Sequence, residues 1–296
     1  MENKISFYIM NSKGFYVLKN FINKFGSKYI EYVVSCEDKN IKKDYFLEIK
    51  ELCLKNGINF FNKSDDILHV ENRFKGFKFA IGWRWIIKNT TRLVVFHDSL
   101  LPKYRGFAPL VNSLINKEKY IGVTALFASN EYDKGDIILQ RRIKIDYPIK
   151  ISEAINKIEP IYFNLVSEIF KNIITKKQFK VIKQDENKAT YSVWLDSEDY
   201  FIDWNWDADR IKRFIDAVGY PYDNAKTTLN GKIVKIVDAE VISDVIIENR
   251  ERHIGKVIFF EKEFPIVICK RGLLKLIDIR DKKNNNIKIS FRTKFK

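Results

Sequence analysis

One stretch decides the fold of this chain: residues 93–106 read LVVFHDSLLPKYRG. The apolar run Leu93–Phe96 is typical of a buried strand, and His97 follows it directly. Further along, Asp136 precedes a second apolar run, Ile137–Leu139. Side chains at the ends of neighbouring strands of an α/β sheet meet in one crevice, where such folds bind ligands. The stretch therefore predicts a reaction site containing a histidine and an aspartate.

Apolar runs alternate with amphipathic stretches through the first half of the chain. We predict helices at Gly14–Phe25, Asp44–Asn56 and Ser152–Ile174, the last capped by Ser152, and strands at Ile5–Met10, Ile30–Cys36, Ile58–Phe61, Phe77–Gly82 and Leu93–Phe96. This alternation predicts an α/β fold, a Rossmann-like and mostly parallel sheet with helices on both faces. No Gly-x-Gly-x-x-Gly motif follows the first strand, so the pattern does not predict dinucleotide binding.

The pattern changes after a charged segment at residues 176–188. A helix is predicted over Asp207–Ile215, and short strands over Ile233–Val237, Lys256–Phe260, Pro265–Cys269 and Leu273–Ile277. Short strands at regular spacing are typical of a small barrel. We therefore predict two domains, residues 1–185 and a β-rich, OB-like domain over residues 186–296.

Composition excludes several classes of protein. The chain has 296 residues and is 46% hydrophobic, enough for a substantial core. No apolar run reaches the roughly 18 residues of a membrane helix, and the N-terminus lacks a signal-peptide pattern. Its 3 cysteines are too far apart for a zinc motif or a disulfide framework. We expect a cytoplasmic protein without a metal site.

The net charge of +15 is unevenly distributed along the chain. Residues 1–186 carry a net charge of +11, and residues 187–296 carry only +4. Basic chains often bind nucleic acid, but the second domain also contains acidic clusters at Asp196–Asp199 and Asp203–Asp209. Binding of nucleic acid by the second domain is therefore not expected.

Short motifs occur at His97–Pro109, Gly122–Thr124, Asp133–Ile137, Ala189–Tyr191 and Tyr200–Trp204. The first reads HDSLLPKYRGFAP, and the third reads DKGDI. Together they resemble the formyltransferases that use N10-formyltetrahydrofolate. The last two resemble the start of the second domain in methionyl-tRNA and sugar formyltransferases. The resemblance covers most of the chain.

The resemblance implies a catalytic pair. Formyl transfer to an amine passes through a tetrahedral adduct and requires proton transfers, which suit a histidine because its ordinary pKa is about 6.5. By resemblance, His97 is the acid/base residue and Asp136 orients it and stabilises its charged form. An asparagine two residues before the histidine donates to the oxyanion in the family, whereas this chain has Val95.

Val95 leaves the oxyanion without that donor, a loss that typically costs about 10²–10³ in rate. The candidate replacements are Asn130, protonated His97, Ser99 and a backbone N–H of the turn at residues 97–99. Asp98 is a second departure from the family pattern, because a small residue or proline usually follows the histidine.

The resemblance also implies binding residues. Those expected to line the folate pocket or wrap the pteridine are Gly82, Trp83, Arg84, Trp85, Tyr132, Asp133, Lys134 and Gly135. Core packing is an equally open interpretation for the two tryptophans. Those expected to bind the acceptor are Ser99, Lys103, Tyr104, Arg105 and Tyr222. Arg105 suits a phosphate group, although a structural role is an open alternative.

The acceptor follows from the two-domain layout and the charge. Glycinamide-ribonucleotide formyltransferases lack a second domain, and tRNA enzymes require a basic one. We therefore predict a sugar N-formyltransferase that acts on a thymidine- or uridine-diphosphate-linked amino sugar for O-antigen or capsule synthesis. By resemblance we expect a homodimer. The alternatives are a methionyl-tRNA formyltransferase, a relative that transfers another one-carbon group, and a non-catalytic binding module.

Overall fold

The computed structural model describes residues 3–296, which group into two compact units. The first comprises the chain up to Leu110 together with Tyr120–Ile145 and Ala154–Val193. The second comprises Val111–Lys119, Asp146–Glu153 and Trp194–Lys296. The domain boundary expected between residues 185 and 186 stays a prediction.

The first unit contains a mixed seven-stranded sheet and a separate pair of short strands. In chain order the strands of this unit are β1 Ile5–Ile9, β2 Ile30–Ser35, β3 Asn59–Asn62, β4 Phe77–Ile81, β5 Leu93–His97, β6 Arg105–Gly106, β7 Tyr120–Phe127, β8 Ile137–Lys144 and β9 Tyr191–Ser192. The sheet has the order β3-β2-β1-β4-β5-β7-β8. Strands β1 to β5 pair in parallel, whereas β7 pairs antiparallel with β5 and β8. The short strands β6 and β9 pair separately. The prediction of a mostly parallel α/β sheet is confirmed.

The helices in chain order are α1 Asn11–Phe25, α2 Phe46–Lys55, α3 Leu68–Arg73, α4 Pro109–Ile115, α5 Ile151–Ile174, α6 Ala208–Ala217 and α7 Arg250–His253. Helix α5 begins one residue before Ser152, so the prediction of Ser152 as its cap is wrong. Phe21 of α1 packs on Phe170 of α5 and on Phe7 of β1, at centroid distances of 4.8 and 5.4 Å. These aromatic contacts place α1 and α5 against one side of the sheet.

A second apolar cluster includes Tyr8, Tyr32, Ala80 and Leu93, with Val70 of α3 packed against it. Successive side chains of a strand point to opposite faces, so Phe7 and Tyr8 serve different clusters. The sheet is therefore covered on both faces, as the apolar strand runs predict.

The second unit contains an antiparallel sheet with strands β10 Ala225–Leu229, β11 Lys232–Ile242, β12 Val257–Glu261, β13 Phe264–Ile268 and β14 Leu273–Arg280, in the order β10-β11-β14-β13-β12. Trp204 is buried in this unit, stacked on Phe295 at 5.5 Å, and its indole N–H donates to Thr227 Oγ1. The β-rich character of this region is confirmed. No helix within residues 3–296 is both long and apolar enough to cross a membrane.

Candidate active site

His97 is the last residue of β5 and is only 7% exposed. Its Nε2 lies 2.7 Å from the carbonyl oxygen of Tyr104, and its Nδ1 lies 3.5 Å from Oδ2 of Asp133. A carbonyl oxygen can only accept, so Nε2 carries a proton in this arrangement. Nδ1 faces the Asp133 carboxylate. In the neutral ring Nδ1 carries a lone pair, and in the imidazolium it carries a second proton. The position is suited to holding and moving a proton.

Asp133, and not Asp136, is the acidic partner of His97. The Asp133 carboxylate also accepts a hydrogen bond from the backbone N–H of Gly106 at 2.8 Å. Among residues 3–296 the side chain of Asp136 has no hydrogen-bond or ion-pair partner, so the predicted pairing of Asp136 with His97 is wrong. A Cβ on Gly135 would lie 1.7 Å from the Phe127 oxygen, so the backbone of Gly135 packs directly against β7. The turn residue Asp133, which precedes Gly135, faces His97. The motif has two aspartates, and its spacing alone does not show which of them pairs with His97.

Ser99 serves the turn that follows β5. Its hydroxyl donates to the carbonyl of Lys103 at 2.7 Å, and its backbone N–H donates to the carbonyl of His97 at 2.9 Å. Two of the candidate replacements for the missing oxyanion donor are therefore engaged within the turn. Asn130 lies exposed on the loop between β7 and β8. His97 is engaged as well, with Nε2 on the Tyr104 carbonyl and Nδ1 facing Asp133, so the replacement for the oxyanion donor stays a prediction.

Val95 is a packing residue in this structure. It contacts one apolar cluster that contains Tyr8 and Leu93 and another that contains Leu101 and Leu126. Its side chain therefore joins two parts of the core at the position where relatives are expected to have a polar donor.

Arg105 is fully buried and is a structural residue. Its five N–H groups donate to Glu186 at 2.8 and 2.7 Å, to Gln184 at 3.1 and 2.9 Å, and to the Tyr191 hydroxyl at 3.3 Å. The hydrogen bonds between Arg105 and Glu186 raise the pKa of Arg105 above its ordinary value and lower the pKa of Glu186 below its own. With every donor used, the prediction that Arg105 binds a phosphate is wrong.

The other expected acceptor residues are Lys103, Tyr104 and Tyr222. Lys103 is exposed on the loop after β5. Tyr104 has a positive φ of 60°, and its backbone N–H donates to Thr190 Oγ1 at 2.9 Å. Tyr222 belongs to the second unit. The backbone of Tyr104 contacts His97 directly, whereas the binding roles of all three side chains stay predictions.

The expected folate-pocket residues lie after β4. Gly82 has a φ of 63°, and a Cβ there would be 2.8 Å from the amide nitrogen of Asn11. Asn11 therefore packs against Gly82 on the side where a Cβ would lie. Arg84 pairs with the buried Asp38, and the ring of Trp85 lies 4.5 Å from Lys63 Nζ.

Trp83 has both a packing role and an unused donor. Its ring meets Tyr8 and Trp85 edge-on at 5.4 and 5.2 Å. Its Nε1 is buried and has no hydrogen-bond partner among residues 3–296. A buried donor without an acceptor costs about 1–3 kcal/mol, which a ligand that supplies an acceptor would recover.

Gln184, a residue that sequence reasoning missed, binds the loop between β7 and β8. Gln184 Nε2 donates to the carbonyls of Asp133 and Gly135 at 2.6 and 2.8 Å. On the same loop, Tyr132 packs on Phe107 at 5.9 Å, and Lys134 pairs with Glu131. In the sequence, the feature that points to Gln184 is its position in the polar run just before Ala189–Tyr191.

Asp98 belongs to a buried charged group on the α1 and α5 side of the sheet. Lys13 and the hydroxyl of Tyr162 both donate to its carboxylate. Burial raises the pKa of the neighbouring Glu159, which also interacts with Lys13. Within residues 3–296 no cluster of His, Cys, Asp and Glu is arranged to hold a metal ion.

Two family models match this chain. The formyl transferase model matches residues 76–160, which contain both His97 and Asp133, and the model of the formyl transferase C-terminal domain matches residues 195–294. The chain belongs to the formyl transferase family.

The relatives include methionyl-tRNA formyltransferases by sequence and N-formyltransferases, one of them a sugar enzyme, by fold. The chain is 34% identical over 164 residues to a methionyl-tRNA formyltransferase of Prochlorococcus marinus, an alignment covering 53% of this chain and 49% of that protein. The chain thus spans about half the length of this relative. The fold resembles an N-formyltransferase from Helicobacter canadensis, with a TM-score of 0.67, 18% identity and coverage of 92% and 98%. It also resembles the sugar 3N-formyl transferase WlaRD, with a TM-score of 0.65, 22% identity and coverage of 93% and 98%.

Proposed function

We propose that this formyl transferase family member transfers the formyl group of N10-formyltetrahydrofolate to the amine of a nucleotide-linked amino sugar, for surface polysaccharide synthesis. The observation that carries the proposal is the contact between His97 and Asp133 at the end of β5, inside the region matched by the family model. A histidine beside a carboxylate is the arrangement that proton transfer to and from an amine requires.

The chain supplies the proton handling of this reaction. His97 takes a proton from the attacking amine, and the negative charge of Asp133 stabilises the imidazolium that results. The backbone N–H of Gly106 and the carbonyl of Tyr104 fix the orientation of the pair. Protonated His97 then gives that proton to N10 of the leaving tetrahydrofolate as the formyl–N10 bond breaks, so the proton lost by the amine departs with the folate.

A folate ring fits the observed donor set at Trp83. The buried Nε1 of Trp83 is an unused donor, and the head group of a folate carries acceptor atoms. The bound folate supplies the activated formyl group. Trp83 and Trp85 would hold its ring system, and Tyr132 is exposed on the loop between β7 and β8.

Two observations support the amino-sugar acceptor. The WlaRD structure contains dTDP and 5-N-formyl-THF, and the Helicobacter canadensis structure contains folinic acid and dTDP-3-aminofucose. Both cover nearly the whole of this fold. In addition, residues 187–296 carry a net charge of only +4, which suits a small ligand better than a polyanion.

Methionyl-tRNA is the second candidate acceptor, because the curated relatives carry that name. A Halothermothrix orenii protein so named is 32% identical over 187 residues, covering 62% of this chain and 58% of its own length. The acidic residues of the region after residue 186 argue against this acceptor, since tRNA affinity depends on contacts with phosphate groups.

A turnover assay separates the two candidates. The full chain is incubated with N10-formyltetrahydrofolate and a panel of thymidine- and uridine-linked amino sugars, and in parallel with methionyl-tRNA, while tetrahydrofolate release and product mass are followed. We expect one formyl group on a sugar and its loss in His97→Asn. Formylation of methionyl-tRNA alone would establish the second candidate, and no transfer to any acceptor would overturn the proposed activity.

A further inference from the structure

Gln184 connects the two loops that carry the candidate catalytic groups. Its Oε1 accepts from Nε and Nη2 of Arg105 at 3.1 and 2.9 Å. Its Nε2 donates to the carbonyls of Asp133 and Gly135 at 2.6 and 2.8 Å. A carboxamide has one acceptor oxygen and two N–H donors, so these four contacts use its full capacity. Gln184 is thus a cross-link and not a surface residue in incidental contact.

Each end of the cross-link lies next to a partner of His97. Arg105 directly follows Tyr104, whose carbonyl faces His97 Nε2 at 2.7 Å. Asp133, whose own carbonyl accepts from Gln184, faces His97 Nδ1 at 3.5 Å. The two loops also meet where Gly106 N–H donates to the Asp133 carboxylate. A closed ring of contacts therefore surrounds the imidazole, and Gln184 forms its outer side.

We infer that Gln184 is a positioning residue that sets the distance and angle between Asp133 and His97. The inference rests on the proposed function only for its kinetic consequence. Proton transfer depends steeply on geometry, and a displacement of about 1 Å can cost on the order of 10²-fold in rate. A residue that holds both loops while contacting neither reacting atom acts through that geometry.

The strap, defined as residues 184–192, has other anchors besides Gln184. Glu186 forms a two-point ion pair with Arg105, and β9 pairs with β6 through Tyr191 and Ser192. Loss of the Gln184 side chain therefore leaves the strap attached. Its effect on the Asp133 loop can be measured in a folded protein.

The test compares Gln184→Glu with Gln184→Ala. The carboxylate of Gln184→Glu keeps acceptors for Arg105 but loses the donors to Asp133 and Gly135. We expect Gln184→Glu to lower kcat by about 10–100-fold while the KM values change less than about threefold, and Gln184→Ala to lower it at least as much. Lys183→Ala, an exposed neighbour, is the matched control and should keep wild-type kcat. Wild-type kcat in Gln184→Glu would overturn the inference.

A second readout does not depend on turnover. The chain has 3 histidines, so ¹⁵N resonances of His97 can be assigned with His97→Asn. At fixed pH, Gln184→Ala, which adds no charge, should shift the ring ¹⁵N signals of His97 in the same direction as Asp133→Asn, with unchanged signals in Lys183→Ala. Unchanged His97 signals in Gln184→Ala would overturn the positioning role. If the wild type transfers formyl to no acceptor, the proposed function fails, and this spectrum still decides the role of Gln184.

Discussion

Asp133 and Asp136 lie on one turn but have different surroundings. Replacing each of them in turn therefore tests, at the residue scale, which aspartate serves His97. Asp133 faces His97 and accepts from Gly106, whereas Asp136 has no side-chain partner within residues 3–296. We expect Asp133→Asn to lower kcat by about 10²–10⁴-fold, because the imidazolium loses its stabilising charge. Asp136→Asn is the matched control and should stay within about threefold of wild type in steady-state kinetics. The reverse order would show that Asp136 is the functional aspartate.

Asp98 illustrates a residue whose departure from the family pattern has a structural reason. Its carboxylate pairs with Lys13, and both side chains are largely buried. Removing one partner of a buried pair leaves an uncompensated charge, so Asp98→Asn and Lys13→Met should each lower the free energy of unfolding by about 3–5 kcal/mol. The double variant should recover much of that loss in urea denaturation. Additive losses in the double variant would show that the pair is not coupled.

At the scale of elements, the strap should respond to acid through Glu186. Arg105 holds the pKa of Glu186 below its ordinary value, so the ion pair stabilises the strap above the usual glutamate range. That contribution is lost as the pH falls through the lowered pKa, because the protonated side chain no longer pairs. We expect hydrogen-exchange protection of residues 184–192 to fall over this acidic window while β1 stays protected. Glu186→Gln should show low protection of the strap at every pH, and an unchanged pH response in that variant would refute the assignment.

Elements also show what the sequence could and could not predict. The parallel strands follow from apolar runs bounded by polar residues, and β4 and β5 lie within a residue of their predicted bounds. Contacts between segments that are distant in sequence are not marked by any such run of residues. Arg105 has the composition of a phosphate ligand, and only the return of residues 184–191 to its guanidinium makes it structural. For the same reason the spacing in Asp-x-Gly-Asp could not distinguish Asp133 from Asp136, since their difference depends on how Gly135 packs on β7.

At the scale of the whole molecule, the distribution of charge separates the two candidate acceptors. Residues 187–296 carry a net charge of +4 out of a total of +15, so the excess positive charge lies in residues 1–186. A tRNA acceptor would require phosphate contacts whose release of counterions makes binding steeply salt-dependent. We therefore expect methionyl-tRNA to bind this chain no more tightly than the non-specific range of about 10⁻⁴–10⁻⁶ M at physiological salt in filter-binding titrations. Unrelated tRNA is the control and should compete equally. A preference for methionyl-tRNA over that control would move the assignment to the second candidate, because non-specific attraction to a basic protein cannot distinguish one tRNA from another.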